Sequence, residues 1–169
     1  MGEKMSIVNN VTRLLDARRI PYTACETPAE KLGALETARF LNVEPDSVFK
    51  TIVVVRERPR KPLLVVVPGD SEVDLKLLAA ALGEKKARLP TEREAERLTG
   101  LQAGGISPLA LVNKGFQVVI DSSAQTLGEI HVSGGQRGLN IKLGVEALAK
   151  LTNARFAKVS RRAPSLTSE

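Results

Sequence analysis

A chain of 169 residues with 43% hydrophobic content can bury one core of its own and is too short for two full domains. Aromatics make up 3% and tryptophan is absent, which excludes a nucleic-acid surface built on stacked aromatic platforms. The 25 Lys and Arg against 19 Asp and Glu leave a charge of +6, compatible with a polyanionic partner and equally with an ordinary solvated surface.

Ile7, Val11, Leu14 and Leu15 recur at helical spacing behind Ser6, a good N-cap residue, and predict a first helix. It stops before Ile20-Pro21, because proline lacks an N–H and biases its predecessor toward extended backbone. Tyr22–Glu26 reads as a short strand. Thr27-Pro28 predicts a cap with proline in the first turn, opening short helical turns that run to Leu41. Asn42–Ser47 is a connector containing Pro45.

Phe49–Arg56 and Leu63–Val67 are β-branched apolar runs joined by Glu57–Pro62, which predicts a hairpin. Their near-continuous apolarity predicts central strands covered on both faces. Asp74–Leu82 is a helix ended by Gly83. Thr91 and Glu94 have capping-box spacing for a helix to Leu98, and Thr99–Pro108 is a glycine-rich loop. Gln117–Ile120, Glu129–Ser133 and Leu139–Leu143 are short strands, Val145–Leu151 is a helix and Arg155–Val159 a last strand. There is no internal repeat and no regular βαβ rhythm. The pattern predicts an α/β (α+β) chain with a mixed, curled sheet and helices outside. One domain is expected over residues 1–162, with a flexible tail at 163–169.

A single cysteine, Cys25, excludes an intramolecular disulfide, and the N-terminus has no signal-peptide apolar region. The longest apolar runs, Ile52–Val55 and Leu63–Val67, are too short to cross a bilayer. A soluble, cytoplasmic protein without membrane attachment is expected.

One His and one Cys leave no His-rich or thiolate metal site, and no metal or cofactor is expected. Both common nucleotide-binding fingerprints, G-x-G-x-x-G and G-x-x-x-x-G-K-[ST], are missing. Gly105-Ile106-Ser107-Pro108-Leu109 starts like a nucleophile elbow but lacks its closing glycine. A triad would need His131, which alternates within a strand as Ile130-His131-Val132 and reads better as an outward or satisfied histidine. Cys25 reads as a packing residue.

Lys50 opens an otherwise apolar strand. Two readings stand: it snorkels to solvent from the strand mouth, or it holds a fixed positive charge toward a phosphate or ester oxygen. Gly104-Gly105 and Ser133-Gly134-Gly135, with Arg137 nearby, are turns or backbone N–H cradles for an anion or a developing oxyanion. Residues alone leave that choice open.

Taken in order, Phe49-Lys50-Thr51, Thr99-Gly100, Gly104-Gly105-Ile106-Ser107-Pro108 and Val132-Ser133-Gly134-Gly135-Gln136-Arg137-Gly138-Leu139 resemble the YbaK family. These proteins are relatives of the editing domain inserted in bacterial prolyl-tRNA synthetases, and the similarity runs from about Thr12 to Val159. The resemblance implies a mixed, barrel-like sheet flanked by helices. It also implies metal-independent hydrolysis of the ester joining a wrong amino acid to tRNA, tRNA-Pro or another tRNA carrying a small amino acid.

Tied to that resemblance, Lys50, Gly104 and Gly105 are the expected catalytic residues, and Ser107, Pro108, Ser133, Gly134, Arg137 and Asn140 the expected substrate-binding ones. Mischarged tRNA is the expected partner, with a synthetase as a second. Asn140 stands where relatives often carry Asp, Gln136 where they often carry Lys, and Thr27 through Leu35 holds no aromatic. Cysteine specificity is therefore not carried over. A non-catalytic tRNA- or synthetase-binding module is the alternative reading, and an esterase using Ser107 and His131 a distant third.

Overall fold

The computed structural model describes residues 7–164, so Ser6 and the last five residues of the expected tail lie outside it. The first helix, α1 (Asn10–Ala17), is capped by Asn9, whose side chain accepts from the Thr12 N–H while the Thr12 hydroxyl accepts from the Asn9 N–H. Val11 and Leu15 face the core from it. Strand β1 (Tyr22–Glu26) follows as expected.

The predicted cap at Thr27-Pro28 is corrected. Helix α2 (Ala34–Leu41) starts seven residues later, behind Gly33, whose N–H bonds the Glu36 carboxylate. Thr27 instead prolongs the extended segment after β1, its N–H donating to the carbonyl of Gly138, and residues 28–33 form no helix. Pro45–Ser47 form a single 3-10 turn before β2 (Phe49–Val54).

The expected hairpin is present: β2 pairs antiparallel with β3 (Leu63–Pro68). Residues Leu63 through Val67 are all 0% exposed. Leu64 and Val66 enter one apolar cluster, while Leu63, Val65 and Val67 enter a second on the opposite face. Both faces of β3 are thus covered, which is why its sequence is apolar without alternation. Strand β2 departs from the central position expected of it, since only one of its edges carries a full ladder.

Strand β4 (Ser71–Val73) leads into α3 (Leu75–Leu82), capped by Asp74 and ended by Gly83 in the left-handed conformation. Thr91 caps α4 (Glu92–Thr99), but the expected capping box is only half formed. The Glu94 carboxylate turns to Arg88, at 3.0 and 2.8 Å, instead of returning to the Thr91 N–H. The remaining elements are β5 (Gln117–Asp121), β6 (Glu129–Ser133), β7 (Leu139–Gly144) and α5 (Val145–Thr152). The last expected strand, Arg155–Val159, is shortened to β8 (Arg155–Ala157), and an unexpected strand, β9 (Ser160–Arg162), follows it.

Three sheets result, in the orders β1-β7-β6, β2-β3-β5-β8 and β4-β9. The second is mixed: β3, β5 and β8 run parallel while β2 is antiparallel. A parallel bridge between Val48 and His131 joins the first sheet to the second. The strands curl around the larger core cluster, with helices outside, and among the described residues they do not close into a full barrel. Buried carboxylates tie down the two ends of the central sheet, Glu84 beside Gln117 at the start of β5 and Asp121 at its close. Glu84 takes Arg60 at 2.6 Å and Arg56 at 3.2 Å, and Asp121 accepts from Ser123 and from the Val159 N–H.

Candidate active site

A cavity of about 390 Å³, the size of a small-molecule site, opens where β2, the segment before α2, the start of α4 and two glycine loops converge. Lys50, Gly104, Ser133 and Asn140 all line it, so the three motifs singled out in the sequence do meet at one place. Its walls are otherwise mainly apolar, including Leu32, Phe49, Ile106 and Leu139.

Lys50 is half-buried, and its ammonium lies 3.4 Å from the carbonyl oxygen of Gly69. Burial pushes its pKa below the ordinary lysine value, while Glu72 and Asp70 pull it back up. Gly69 has to be glycine: a Cβ there would sit 2.8 Å from Ala34 Cβ and 3.0 Å from the Val48 carbonyl. On its other side Lys50 borders a second groove of about 800 Å³, lined also by Glu72, Asp74, Lys76, Leu89 and Arg161. Lys50 therefore forms part of the wall between two openings, which fits neither simple snorkeling nor full burial.

The glycine loops are packed against one another. Gly104 has a φ of +92°, a backbone that other residues rarely adopt, and its N–H has no protein acceptor among the described residues. Gly105 differs, because its N–H donates to the Gln102 carbonyl at 2.8 Å and is not free for a ligand. The role expected for it is corrected: a Cβ there would meet Gln136 Cα at 2.9 Å, so Gly105 lets the loops touch. Arg137 also serves the contact between the loops. Its Nε donates to the Ala103 carbonyl at 2.8 Å, bracing the glycine loop without lining the cavity.

Ser107, Pro108 and Gly134 also stand behind the lining. Ser107 is 0% exposed and its hydroxyl accepts from the Leu109 N–H, capping the 3-10 turn Pro108–Leu111. Gly134 leaves room for the Leu139 side chain, which a Cβ would overlap. Ser133 faces the cavity, its hydroxyl accepting from the Gly135 N–H at 3.2 Å. Gln136 accepts from Asn9 Nδ2, tying this loop to the α1 cap. His131 bonds Asn140 rather than Ser107, so no Ser–His pair exists.

Sequence reasoning missed two features. The Thr51 hydroxyl is buried on a cavity-lining residue and has no hydrogen-bond partner, a state that costs about 1–3 kcal/mol unless a ligand meets it. The second feature is the outer edge of β2. The Val48 carbonyl accepts from Gly69 at 2.7 Å, so even-numbered residues of β2 direct their backbone groups toward β3. Odd-numbered residues point away from it. Val55 exchanges two 2.9 Å bonds with Arg88 at one end, and the Val48–His131 bridge covers the other. Between them Thr51 and Val53 belong to no ladder or bridge on that edge among the described residues, and both residues line the cavity. No group of three His, Cys, Asp or Glu among the described residues is placed to hold a metal ion.

Comparison with known proteins agrees with this geometry. The pattern of the aminoacyl-tRNA editing domain matches residues 29–151. A protein of Enterococcus faecalis named "Putative Cys-tRNA(Pro)/Cys-tRNA(Cys) deacylase EbsC" is 36% identical over 153 residues, covering 89% of this chain and 92% of its own. The "Prolyl-tRNA editing protein ProX" of Acetoanaerobium sticklandii is 26% identical over 144 residues, or 83% of this chain and 87% of its own. A solved structure titled "Crystal structure of a putative trans-editing enzyme for prolyl tRNA synthetase" superposes with a TM-score of 0.76 at 25% identity, covering 92% of this chain and 99% of that one. On this sequence match and this fold, the chain belongs to the aminoacyl-tRNA editing domain family.

Proposed function

We propose that the protein is a trans-editing aminoacyl-tRNA deacylase, hydrolysing the ester between tRNA and an amino acid wrongly joined to it. The observation that carries this reading is the placement of Lys50 and the unpaired Gly104 N–H on one small, mainly apolar cavity. Water adds to the ester carbonyl, the bond to the ribose oxygen breaks, and the proton lost by water ends on that oxygen. Lys50 and the Gly104 N–H stabilise the negative charge that develops on the way, each contribution worth about 10²–10³ in rate. An aminoacyl ester is already activated, so positioning and electrostatics suffice without a side-chain nucleophile.

Editing is useful because a synthetase pocket separates small side chains by only about 10–200-fold. The names of the Enterococcus relative and of the solved structure favour tRNA-Pro carrying a small wrong amino acid, with prolyl-tRNA synthetase as a partner and the cytoplasm as the location. No helix among the described residues is long and apolar enough to cross a membrane, in keeping with that location. Lys76, on the groove beyond Lys50 where Arg161 is already paired with Glu72, supplies charge for the acceptor strand's phosphates, so binding weakens with salt. Deacylation of Cys-, Ala- and Ser-charged tRNA is the test. Turnover of none of them, or equal turnover by Lys50→Ala, refutes the reading. tRNA binding without turnover favours a binding module, the alternative that Asn140 supports.

A further inference from the structure

We infer that the unpaired edge of β2 reads the terminal base of the acceptor strand, selecting one that carries an amino group beside an unprotonated ring nitrogen. This rests on the deacylase reading above and names what the same cavity recognises.

The edge offers hydrogen-bonding groups in a fixed order: N–H and C=O of Thr51, then N–H and C=O of Val53. Residues two apart on a strand present such groups on one side, spaced to meet a neighbouring strand. Here no strand follows, because the bridges at His131 and Arg88 stop short of the gap. The Thr51 hydroxyl beside it is buried and unpartnered, a second and independent sign that a polar ligand belongs at this wall.

Adenine, the base that ends mature tRNA, has an N6 amine beside the N1 acceptor. Its amine donates to the Thr51 carbonyl while N1 accepts from the Val53 N–H, a reading of the Watson–Crick edge by a backbone alone. Leu89, 51% exposed and bordering both openings, offers the base an apolar face. Hypoxanthine, the base of inosine, presents the opposite order, an O6 acceptor beside an N1–H donor. Turning it over to restore the match would carry the ribose to the other side of the base, away from the ester position beside Lys50.

The test uses short CCA strands whose terminal nucleotide carries alanine through a non-hydrolysable 3′-amide, ending in adenosine, purine riboside or inosine. Binding to the wild-type protein is measured directly, so the readout does not depend on turnover and no variant has to fold. The adenosine-ended strand is expected to bind about 10-fold tighter than the purine end and about 100-fold tighter than the inosine end. Equal binding of the adenosine and inosine ends, or binding of neither, overturns the inference. Deacylation of charged tRNA by the same preparation then separates the two ideas. If it proceeds while base discrimination is absent, only the base reading falls; if it too is absent, the deacylase reading falls with it.

Discussion

Nδ1 of His131 lies 2.8 Å from Oδ1 of Asn140, and both side chains are buried. An amide oxygen only accepts, so Nδ1 carries the proton and the Asn140 amine is left as a donor on a cavity-lining residue. Burial holds the His131 pKa below its ordinary value, with the Asn140 bond opposing. A histidine kept neutral by folding gives full stability above its unfolded pKa of about 6.5 and loses it as pH falls through the lower folded value. Thermal melts of the wild type should therefore lose stability as pH drops below about 6.5, and His131→Gln should lack that component. Because His131 acts on Asn140 and not on the ester, His131→Gln should keep kcat within about 10-fold; a loss above 100-fold would make it catalytic.

Lys50 should carry the largest functional effect. Lys50→Ala is expected to lower kcat by about 10²–10³, as for removal of one donor to a developing oxyanion. The cation is the working form and burial lowers its pKa, so the alkaline limb of the activity profile should fall below pH 10.4, the ordinary lysine value. Lys50→Arg should move that limb out of reach. Rates corrected for spontaneous ester hydrolysis at each pH provide the measurement.

Gly69→Ala tests how the lysine is seated. Its added methyl meets Ala34 Cβ and two backbone carbonyls, those of Val48 and Pro45, none of which is a flexible side-chain end. We expect a loss of about 1–3 kcal/mol in chemical denaturation, as for overpacking, together with a fall in kcat as the Gly69 carbonyl moves from Lys50. Unchanged kinetics in a folded variant would show that this seat is not needed.

Glu84 supplies a control far along the hairpin from Lys50. Its side chain is 2% exposed and meets Arg56, itself 8% exposed. Glu84→Ala leaves the Arg56 guanidinium buried without its anion and should cost about 3–5 kcal/mol. Activity of the folded fraction, measured at low temperature, should stay near wild type.

Asp121 tests acid stability. Burial raises the pKa of its carboxyl, but bonds from Ser123, Val159 and Ser160 outweigh that and hold it below the ordinary value. The stability it supplies is complete above the unfolded pKa of about 3.9 and is lost as pH falls through the lower folded value. Asp121→Asn should accordingly be less stable than wild type at pH 7 in urea denaturation, with the difference shrinking below about pH 4.

Much of the fold is legible in local pattern. The uninterrupted apolar run at Leu63–Val67 marks a strand covered on both faces, and Gly83 and Thr91 mark a helix end and a helix start. Ser71–Val73 and Ser160–Arg162 are not legible. Each has three residues and carries charge, and each becomes a strand only by pairing with the other. At the site, the motif order brings Lys50, Gly104 and Ser133 together, but which N–H groups are free is decided by tertiary bonds. Gly104 and Gly105 look alike as letters, yet Gln102 claims the N–H of one and leaves the other. Thr51 gives no sign in sequence, since its orphaned hydroxyl and open backbone depend on where β6 and Arg88 stop.

The interrupted edge of β2 also bears on how this protein avoids its own kind. A bare strand edge invites another chain to add a strand, the step that begins sheet-mediated aggregation. Here the free stretch runs only from Thr51 to Val53, closed at one end by the Arg88 ladder and at the other by the bridge to His131. It also lies on a cavity wall beside Leu89, Pro90 and Thr91. An incoming strand would find too few partners to register, whereas a single flat ring needs no more than two.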